Sequence, residues 1–483
     1  MGGWFTQGRW PEIAILIVAA ALRLSWLELR PPHHDEGADG WRALQIRREA
    51  GYAFQAGQGH GPLHFYLFAA AQKLGGRNLT ALRLPDALFS LGAVALTFGF
   101  RRWLGRGATL WAGAAMALSP AFTYYGRDAI HESELVFFLL LGFWGVCGFW
   151  SDGRSKYFWA AVVSVTGCLL TKETAWLHFA AFSGAALVLL TIVKHKFPRG
   201  SSTGLRRGFR HCRFASWWLL LAVVFSTGLL VFFYTGHATH PEGFMEFLAA
   251  PFVWLEKSRG AGHEKPWSYW SSLVLRYEWP CFIGLAAVPF LIQRQSCPLR
   301  FLAIGTLLTL AAYTLIPYKT PWCLISILAA APLLFGAVIS SVKRPLLRAF
   351  LPLVAVVALG DSAIQNVRLN FFRFADPGES YAYVQTPSDI WKLTAAFDAL
   401  RRRDPLARST RGKVFLTEPH PIPWVLHDFP QVSWFDPSDH PKHYDSGFLI
   451  VEAARIVEVE KALHMNYQRL PLKLLPEEPA AVL

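Results

Sequence analysis

Residues 11–37 read PEIAILIVAAALRLSWLELRPPHHDEG, an apolar run that ends in a cluster of prolines, histidines and carboxylates. The apolar part, near residues 11–29, matches the roughly 20 helical residues that cross a bilayer core of about 30 Å. No small-residue cleavage site follows it, so we expect a retained membrane helix and not a signal peptide. The chain therefore crosses a membrane early and leaves it beside two adjacent carboxylates.

The same length criterion, applied to all 483 residues, finds about eleven candidate spans. They lie near residues 11–29, 84–104, 108–125, 133–150, 157–170, 174–193, 216–235, 270–292, 299–316, 321–341 and 345–361. The composition agrees, because 53% of the residues are hydrophobic and only 17% are charged. The fold class that follows is a polytopic α-helical membrane protein.

Basic residues indicate the orientation of the spans. With a cytoplasmic N-terminus, every inside loop carries at least one Lys or Arg, and the loop Lys194–Ala215 carries seven. An odd number of spans then leaves the C-terminus outside. The net charge of +14 is explained by such topology signals, so nothing here favours nucleic-acid binding. We expect a multi-pass protein of the plasma (inner) membrane.

Two domains are expected, a membrane domain over residues 1–361 and a C-terminal domain over residues 362–483. The membrane domain has two long outer loops, residues 30–83 and 236–268. In the first, Asp39–Ala50 predicts a short interfacial helix. In the second domain, helices near 386–403 and 452–463 enclose strand-like runs at 413–416, 432–434 and 448–451, which predicts a small extracytoplasmic α/β domain.

The adjacent acids Asp35 and Glu36 are the main candidates for chemistry. Carboxylates at a membrane boundary are expensive to hold in a partly dehydrated site unless they are paired or used. They predict a general base, or a base with a supporting acid, on the outer face. The alternative is a solvated loop with a helix cap, for which Asp39 is a candidate.

Four more polar clusters are expected on the same face. They are Arg127-Asp128-Ala129-Ile130-His131-Glu132, Lys172-Glu173, His263-Glu264-Lys265, and Tyr318-Lys319 between two prolines. A lysine in the last cluster suits an anionic head group, although an interfacial lysine that snorkels explains it equally well. Each cluster alone can also be an ordinary helix end, but their convergence on one face favours a site.

Histidines are frequent in the predicted outer segments, among them His33, His34, His60, His64, His131 and His263. A divalent metal held by some of them with Asp35 or Glu132 stays open, although no HExxH-type spacing occurs. The six cysteines form no CxxC pair, and no GxxxxGK[ST] or GxGxxG motif is present. These motifs therefore indicate no cofactor, and a divalent metal stays open.

The order of these motifs resembles the GT-C glycosyltransferases. The similar group is glycosyltransferase 39, with protein O-mannosyltransferases, the aminoarabinose transferase and prokaryotic flippase-activity-associated membrane proteins. The stretches that carry the resemblance are HHDEG (33–37), GHGPLHFYL (59–67), RLPDALFSL (83–91), YYGRDAIHE (124–132), TKETAW (171–176), GHEKPWSYW (262–270), PYKTPW (317–322) and IPWVLHDFPQV (422–432). They extend over most of the chain.

The resemblance implies an inverting, mannosyltransferase-like enzyme that takes a sugar from a polyisoprenyl phosphate on the outer face. It implies that Asp35 is the base with Glu36 beside it, and that Asp128 or Glu132 is the second-loop acid. Arg127, Lys172 or Lys319 would bind the phosphate. The other residues assigned to substrate binding are His34, His60, Glu173, His263, Lys265 and Tyr318. The acceptor would be a protein, a lipid or a glycan.

Two other functions stay open from the residues. The first is a non-enzymatic transporter or flippase-associated protein for lipid-linked sugars. It is disfavoured because transporters usually place charges near the midplane and have repeated halves, and no repeat is evident. The second is a polymerase or ligase that acts on lipid-diphosphate-linked glycans, which shares the same outer-face chemistry.

Overall fold

A computed structural model describes residues 8–49, 51–57, 59–196, 215–259, 262–294, 296–342, 344–436, 438–474 and 479–482. Five helices are long and apolar enough to cross a membrane, judged by length and composition: Leu79–Leu104, Glu132–Asp152, Trp217–Tyr234, Cys297–Leu315 and Pro345–Phe372. The predicted polytopic helical membrane fold is confirmed, while the count of about eleven spans stays a prediction. Most of the predicted basic loop 194–215 lies outside the described residues.

Nineteen helices are described between Trp10 and Val367. They are α1 Trp10–Leu24, α2 His34–Glu49, α3 Pro62–Gly75, α4 Leu79–Gly99, α5 Arg101–Leu104, α6 Arg106–Leu118, α7 Pro120–Tyr124, α8 Glu132–Asp152, α9 Ser155–Thr171, α10 Ala175–Lys196, α11 Ala215–Tyr234, α12 Gly243–Lys257, α13 Tyr269–Tyr277, α14 Trp279–Ala286, α15 Val288–Arg294, α16 Cys297–Leu315, α17 Cys323–Ile327, α18 Ala331–Ser341 and α19 Pro345–Val367. Each predicted span coincides with one or more of them.

Several predicted spans are interrupted, and polar groups at two of the interruptions form hydrogen bonds with each other. The span predicted at 108–125 splits into α6 and α7 at Ser119, and the one at 270–292 splits after Tyr277. Glu278, at the second break, accepts hydrogen bonds from Ser119 Oγ (2.7 Å) and from the backbone N–H of Ala121 (2.9 Å) at the first. A carboxylate thus supplies the acceptor that the free N–H groups of a new helix require.

The first outer loop is mostly helical. We expected its helix to begin near Asp39, but α2 begins at His34, so Asp35 and Glu36 occupy its first turn. A helix N-terminus favours carboxylates there, because unpaired N–H groups point toward them. The second outer loop also contains a helix, α12, which the Gly- and Pro-rich composition of that segment did not predict.

The C-terminal α/β domain forms as expected, with two additional strands. Its helices are α20 Ile390–Arg403, α21 Ile422–Val425 and α22 Ile456–Lys461, and its strands are β1 Gly412–Phe415, β2 Val432–Phe435, β3 Phe448–Glu452, β4 Leu470–Lys473 and β5 Pro479–Val482. The sheet order is β2-β1-β3-β5-β4. Strand β1 pairs in parallel with β2 and β3, and β5 pairs antiparallel with β3 and β4.

The C-terminal domain packs directly on the first outer loop. Gly37 of α2 lies so close to Pro421 that a Cβ at Gly37 would come within 2.3 Å of the proline Cβ, so only glycine fits. Trp424 of α21 is buried against α2 and α3, and its indole N–H donates to Gln72 Oε1 (2.9 Å). The start of α2 is therefore held between the membrane helices and the C-terminal domain.

Candidate active site

A cavity of about 320 Å³ lies where α2, the loops at the outer ends of the membrane helices and the C-terminal domain meet. The C-terminal domain contributes His420 to its wall. Of the thirteen residues predicted for the site, six line the cavity: His34, Asp35, His60, Lys172, Glu173 and Tyr318. Residues from four separate predicted clusters thus converge on one space.

Asp35 presents a free carboxylate edge to the cavity. Its side chain is 44% exposed, and it contacts His34 Nδ1 at 3.3 Å and His33 Nδ1 at 3.9 Å. Burial raises the pKa of Asp35, but the hydrogen bond from His34 and the charges of the nearby histidines lower it by a larger amount. The net effect holds the pKa of Asp35 well below its usual range, so the group is a carboxylate at neutral pH.

Glu36 lies on the opposite side of the helix turn and is fully buried. Its two oxygens accept hydrogen bonds from Arg83 Nε and Nη2 (both 2.6 Å), and from the backbone N–H groups of His33 (2.7 Å) and Ala129 (2.8 Å). Burial raises the pKa of Glu36, but the charge and hydrogen bonds of Arg83 lower it well below the usual range. The Glu36 carboxylate therefore links α2 to α4 through Arg83.

Asp128 and Arg127 are both buried and do not line the cavity. Asp128 forms an ion pair with Arg30 at 3.1 Å. Arg127 donates to the carbonyls of Leu22 (2.9 Å) and Ser25 (2.7 Å), among others, at the end of α1. A guanidinium that satisfies the free carbonyls of a helix end has a structural role.

Lys172 and Glu132 form a buried ion pair at the wall of the cavity. Burial lowers the pKa of Lys172, but Cys323, Glu132 and Glu173 raise it above its usual range, so the ammonium is charged. Glu173 accepts a hydrogen bond from His60 Nδ1 (3.1 Å). Burial raises the pKa of Glu173, and the charge and hydrogen bond of His60 lower it to about 2.

The remaining predicted residues divide between wall and support. Tyr318 lines the cavity, whereas Lys319 is buried and its ammonium donates to the carbonyls of Ile316 (2.5 Å) and Lys265 (3.2 Å). His263 Nδ1 lies 2.7 Å from the Tyr383 hydroxyl, and the Lys265 ammonium lies over the Tyr383 ring at 5.2 Å. His263, Lys265 and Lys319 therefore brace the segment that carries Tyr318.

The structure adds cavity residues that were not predicted for the site. Among them are cationic and aromatic side chains: Arg42, Lys257, His131, His420, Trp254, Trp270 and Trp322. His131 stands in the quoted YYGRDAIHE stretch, where it is considered as a metal ligand but is not assigned to catalysis or substrate binding. His420 cannot be chosen from the sequence, because its approach to the cavity depends on how the C-terminal domain packs.

Residues 59–203 match the model of the dolichyl-phosphate-mannose-protein mannosyltransferase family. The crystal structure of ArnT from Cupriavidus metallidurans bound to undecaprenyl phosphate is similar over 99% of this chain and 98% of that chain, with a TM-score of 0.68 and 13% identity. The chain has the GT-C fold.

The apo structure of the same ArnT gives the same result for the GT-C fold, with a TM-score of 0.65, 14% identity, and coverage of 98% of this chain and 97% of that one. The similarity includes the C-terminal domain, since the covered share is nearly complete. No curated protein sequence matches the chain significantly. The GT-C resemblance predicted from the motifs is confirmed.

Proposed function

We propose that the protein is an inverting glycosyltransferase that moves a sugar from a polyisoprenyl phosphate to an acceptor hydroxyl on the outer face of the plasma (inner) membrane. Three observations support this proposal: the GT-C fold, the match to the mannosyltransferase family model, and the cavity that the predicted residues line. The similar ArnT structure holds undecaprenyl phosphate, a polyisoprenyl phosphate. The donor class is carried to this chain on that basis.

The observation that carries the proposal is the position of Asp35. A hydroxyl has a pKa far above 7, so a base must take its proton as the new glycosidic bond forms. Asp35 is an ionised, half-exposed carboxylate in a cavity whose other acids are engaged. The acceptor oxygen attacks the anomeric carbon, the bond from that carbon to the phosphate oxygen breaks, and the electron pair leaves with the lipid phosphate. The proton passes to Asp35.

Lys172 is the best of the three predicted phosphate ligands. Arg127 and Lys319 donate hydrogen bonds to backbone carbonyls, whereas Lys172 lines the cavity. Fixed cations in a site of low dielectric stabilise the charge that grows on a leaving phosphate. Arg42 and Tyr318 also line the cavity and can donate further hydrogen bonds.

The same geometry separates the two candidates for the second-loop acid. Glu132 contacts Lys172 directly, while Asp128 contacts Arg30 away from the cavity wall. We therefore assign the second-loop role to Glu132, which positions the lysine. Glu36 is a support of the loop in this scheme and not a second base.

The test is transfer by purified protein in nanodiscs from a panel of labelled polyprenyl-phosphate sugars. Asp35→Asn should reduce transfer by at least about 100-fold while membrane insertion and folding are retained. Asp398→Asn is the matched control, because its side chain is 47% exposed and lies on α20, outside the cavity. Full activity of Asp35→Asn would refute the assignment of the base.

Two further arms separate the other functions. Diphosphate-linked donors are tested beside monophosphates, because preference for a diphosphate would favour a polymerase or ligase. Scrambling of lipid-linked sugars is measured in proteoliposomes. Donor binding without any transfer, together with scrambling that does not need Asp35, would favour the flippase-associated function.

A further inference from the structure

A second cluster of ionisable side chains lies behind the wall of the cavity and is not used by the proposed transfer. Its centre is His64 of α3, which is fully buried. His64 Nε2 lies 3.3 Å from Asp39 Oδ2, and His64 Nδ1 lies 3.0 Å from Glu134 Oε1. Donor atoms of Asp39, His64 and His131 all lie within 4.8 Å of one another.

The spacing fits metal ligands better than a simple ion pair. Charge-assisted N–H···O bonds are usually about 2.7–2.9 Å long, so 3.3 Å between Asp39 and His64 is long for one. Two ligands of a tetrahedral zinc ion, bound at about 2.0–2.1 Å, are separated by roughly 3.3–3.4 Å. Glu134 then holds the other nitrogen of His64, as a carboxylate commonly does behind a metal-ligating histidine.

His131 provides an independent observation. His131 is 3% exposed, and within the described residues neither ring nitrogen has a hydrogen-bond partner; Nε2 lies 3.7 Å from Glu132 Oε1, beyond hydrogen-bond distance. The ring centroid lies 3.7 Å from that of His60, with the two rings tilted by 39°, and 5.6 Å from that of His64. A buried polar group without a partner is destabilising by about 1–3 kcal/mol, so such a group is usually explained by a bound species.

We propose that Asp39, His64 and His131 bind one divalent transition-metal ion, for which Zn²⁺ is the best candidate. Two imidazoles and one carboxylate suit zinc better than Mg²⁺ or Ca²⁺, which prefer oxygen ligands. Asp39 and His131 also line the cavity, so an ion that they bind would lie at its wall, with the fourth position open to it. That position takes a water molecule or an oxygen of a molecule bound in the cavity.

The surrounding charges are consistent with a cation. Asp86 is fully buried, and neither of its oxygens has a hydrogen-bond partner in the part of the chain that the structure describes. One oxygen of Asp86 lies within 4.8 Å of a ligand atom of His64 and of Glu134. Three carboxylates, those of Asp39, Glu134 and Asp86, thus surround His64. Two cations line the cavity beside this cluster: Arg42 lies 3.8 Å from Asp39, and Lys172 is paired with Glu132.

The test measures metal binding and does not depend on transfer. The full chain, purified in nanodiscs with a tag other than polyhistidine, is stripped with a chelator and reloaded with Zn²⁺ or Co²⁺. Metal content is measured by mass spectrometry after desalting, and tetrahedral Co²⁺ is detected by its visible absorption. We expect about one ion per chain, with intense Co²⁺ bands.

Two variants and one control complete the design. Asp39→Asn keeps the size of the side chain. His131→Ala removes a ring whose nitrogens have no hydrogen-bond partner among the described residues. Each variant should reduce bound metal at least tenfold. His420→Ala, which removes another histidine of the same cavity, should bind metal like wild type. Thermal unfolding without metal confirms that the variants fold. Absence of bound metal in wild type, or equal metal in wild type and both variants, would overturn the proposal.

Discussion

Asp35 and Glu36 are neighbours in sequence and have opposite surroundings. The carboxylate of Asp35 faces the cavity, whereas that of Glu36 is enclosed and held by Arg83. Sequence alone treats the two as one acidic pair. The difference arises because Arg83, on another helix 47 residues later, meets only one of them. Such a division of roles depends on packing and cannot be read from adjacent residues.

The contrast predicts different effects of the two neutralising substitutions on stability. Glu36→Gln leaves the Arg83 guanidinium buried without its counter-charge, so we expect a loss of about 3 kcal/mol in the free energy of unfolding. Asp35→Asn affects a half-exposed group and should lose less than about 1 kcal/mol. Thermal unfolding in detergent compares them. Equal losses would contradict the division of roles.

Glu173 predicts a dependence of stability on pH. Its pKa is about 2 in the folded protein against an ordinary value of 4.5, because the effect of His60 exceeds that of burial. A carboxylate whose pKa is lowered on folding stabilises the fold above its unfolded pKa, and the stabilisation disappears as pH falls through the folded value. At pH 7, the free energy of unfolding of the wild type should exceed that of Glu173→Gln by about 2–3 kcal/mol.

That difference should shrink between pH 4.5 and pH 2 and be small at the acid end. Thermal unfolding of wild type and Glu173→Gln at a series of pH values measures it. A constant difference across this range would show that Glu173 stabilises by packing and not by charge. His60→Gln should reproduce the same loss, because it removes the partner.

At the scale of elements, the sequence predicts the helices and strands well but their breaks and starts less well. Apolar runs identify the membrane helices, and strands β1, β2 and β3 lie at their predicted positions. The start of α2 at His34 was missed because its first turn is stabilised by contacts with Arg83 and with the C-terminal domain. Strands β4 and β5 were missed because short runs gain their partners only in the sheet.

Arg77, between α3 and α4, holds the C-terminal domain in place. Its guanidinium donates to the carbonyl of Trp424 (2.7 Å) and to Asp428 Oδ2 (2.5 Å). Arg77→Ala should loosen α21 and the neighbouring strand β2. Hydrogen exchange should therefore rise at least severalfold across residues 422–435, since local opening becomes less costly.

Arg102→Ala is the control for this prediction. Arg102 also forms an ion pair with an aspartate, Asp152, but lies in α5, beyond the other end of α4 and in the inside loop predicted at Arg101–Gly107. Its removal should leave exchange in residues 422–435 unchanged. The same increase in both variants would indicate general destabilisation and not loss of docking.

At the scale of the whole molecule, the fold brings together clusters that are far apart in sequence. The GT-C resemblance and the membrane fold follow from motifs and apolar runs. Lys172 and Glu173 converge on the cavity as expected, because both follow directly from the predicted topology. Arg127 and Lys319 do not, since a basic residue near a helix end either faces a ligand or caps carbonyls, and sequence does not distinguish these cases.

Topology can be tested on single cysteines. In a variant that lacks the native cysteines, Ser409→Cys should react with a membrane-impermeant maleimide in intact cells, because Ser409 is exposed in the predicted outer domain. Ser155→Cys, exposed in a predicted inside loop, should react only after the cells are opened. The reverse pattern would invert the orientation and move the cavity to the cytoplasmic face.

The contact between His34 and Glu418 joins residues 384 positions apart. During synthesis, the first outer loop leaves the ribosome early, and Glu418, which contacts it, is made 384 residues after His34. A chain that is inserted in the membrane but does not yet extend past Glu418 therefore lacks the wall that the C-terminal domain contributes to the cavity. Under the proposed function, transfer should therefore appear only in chains that contain the residues around Glu418.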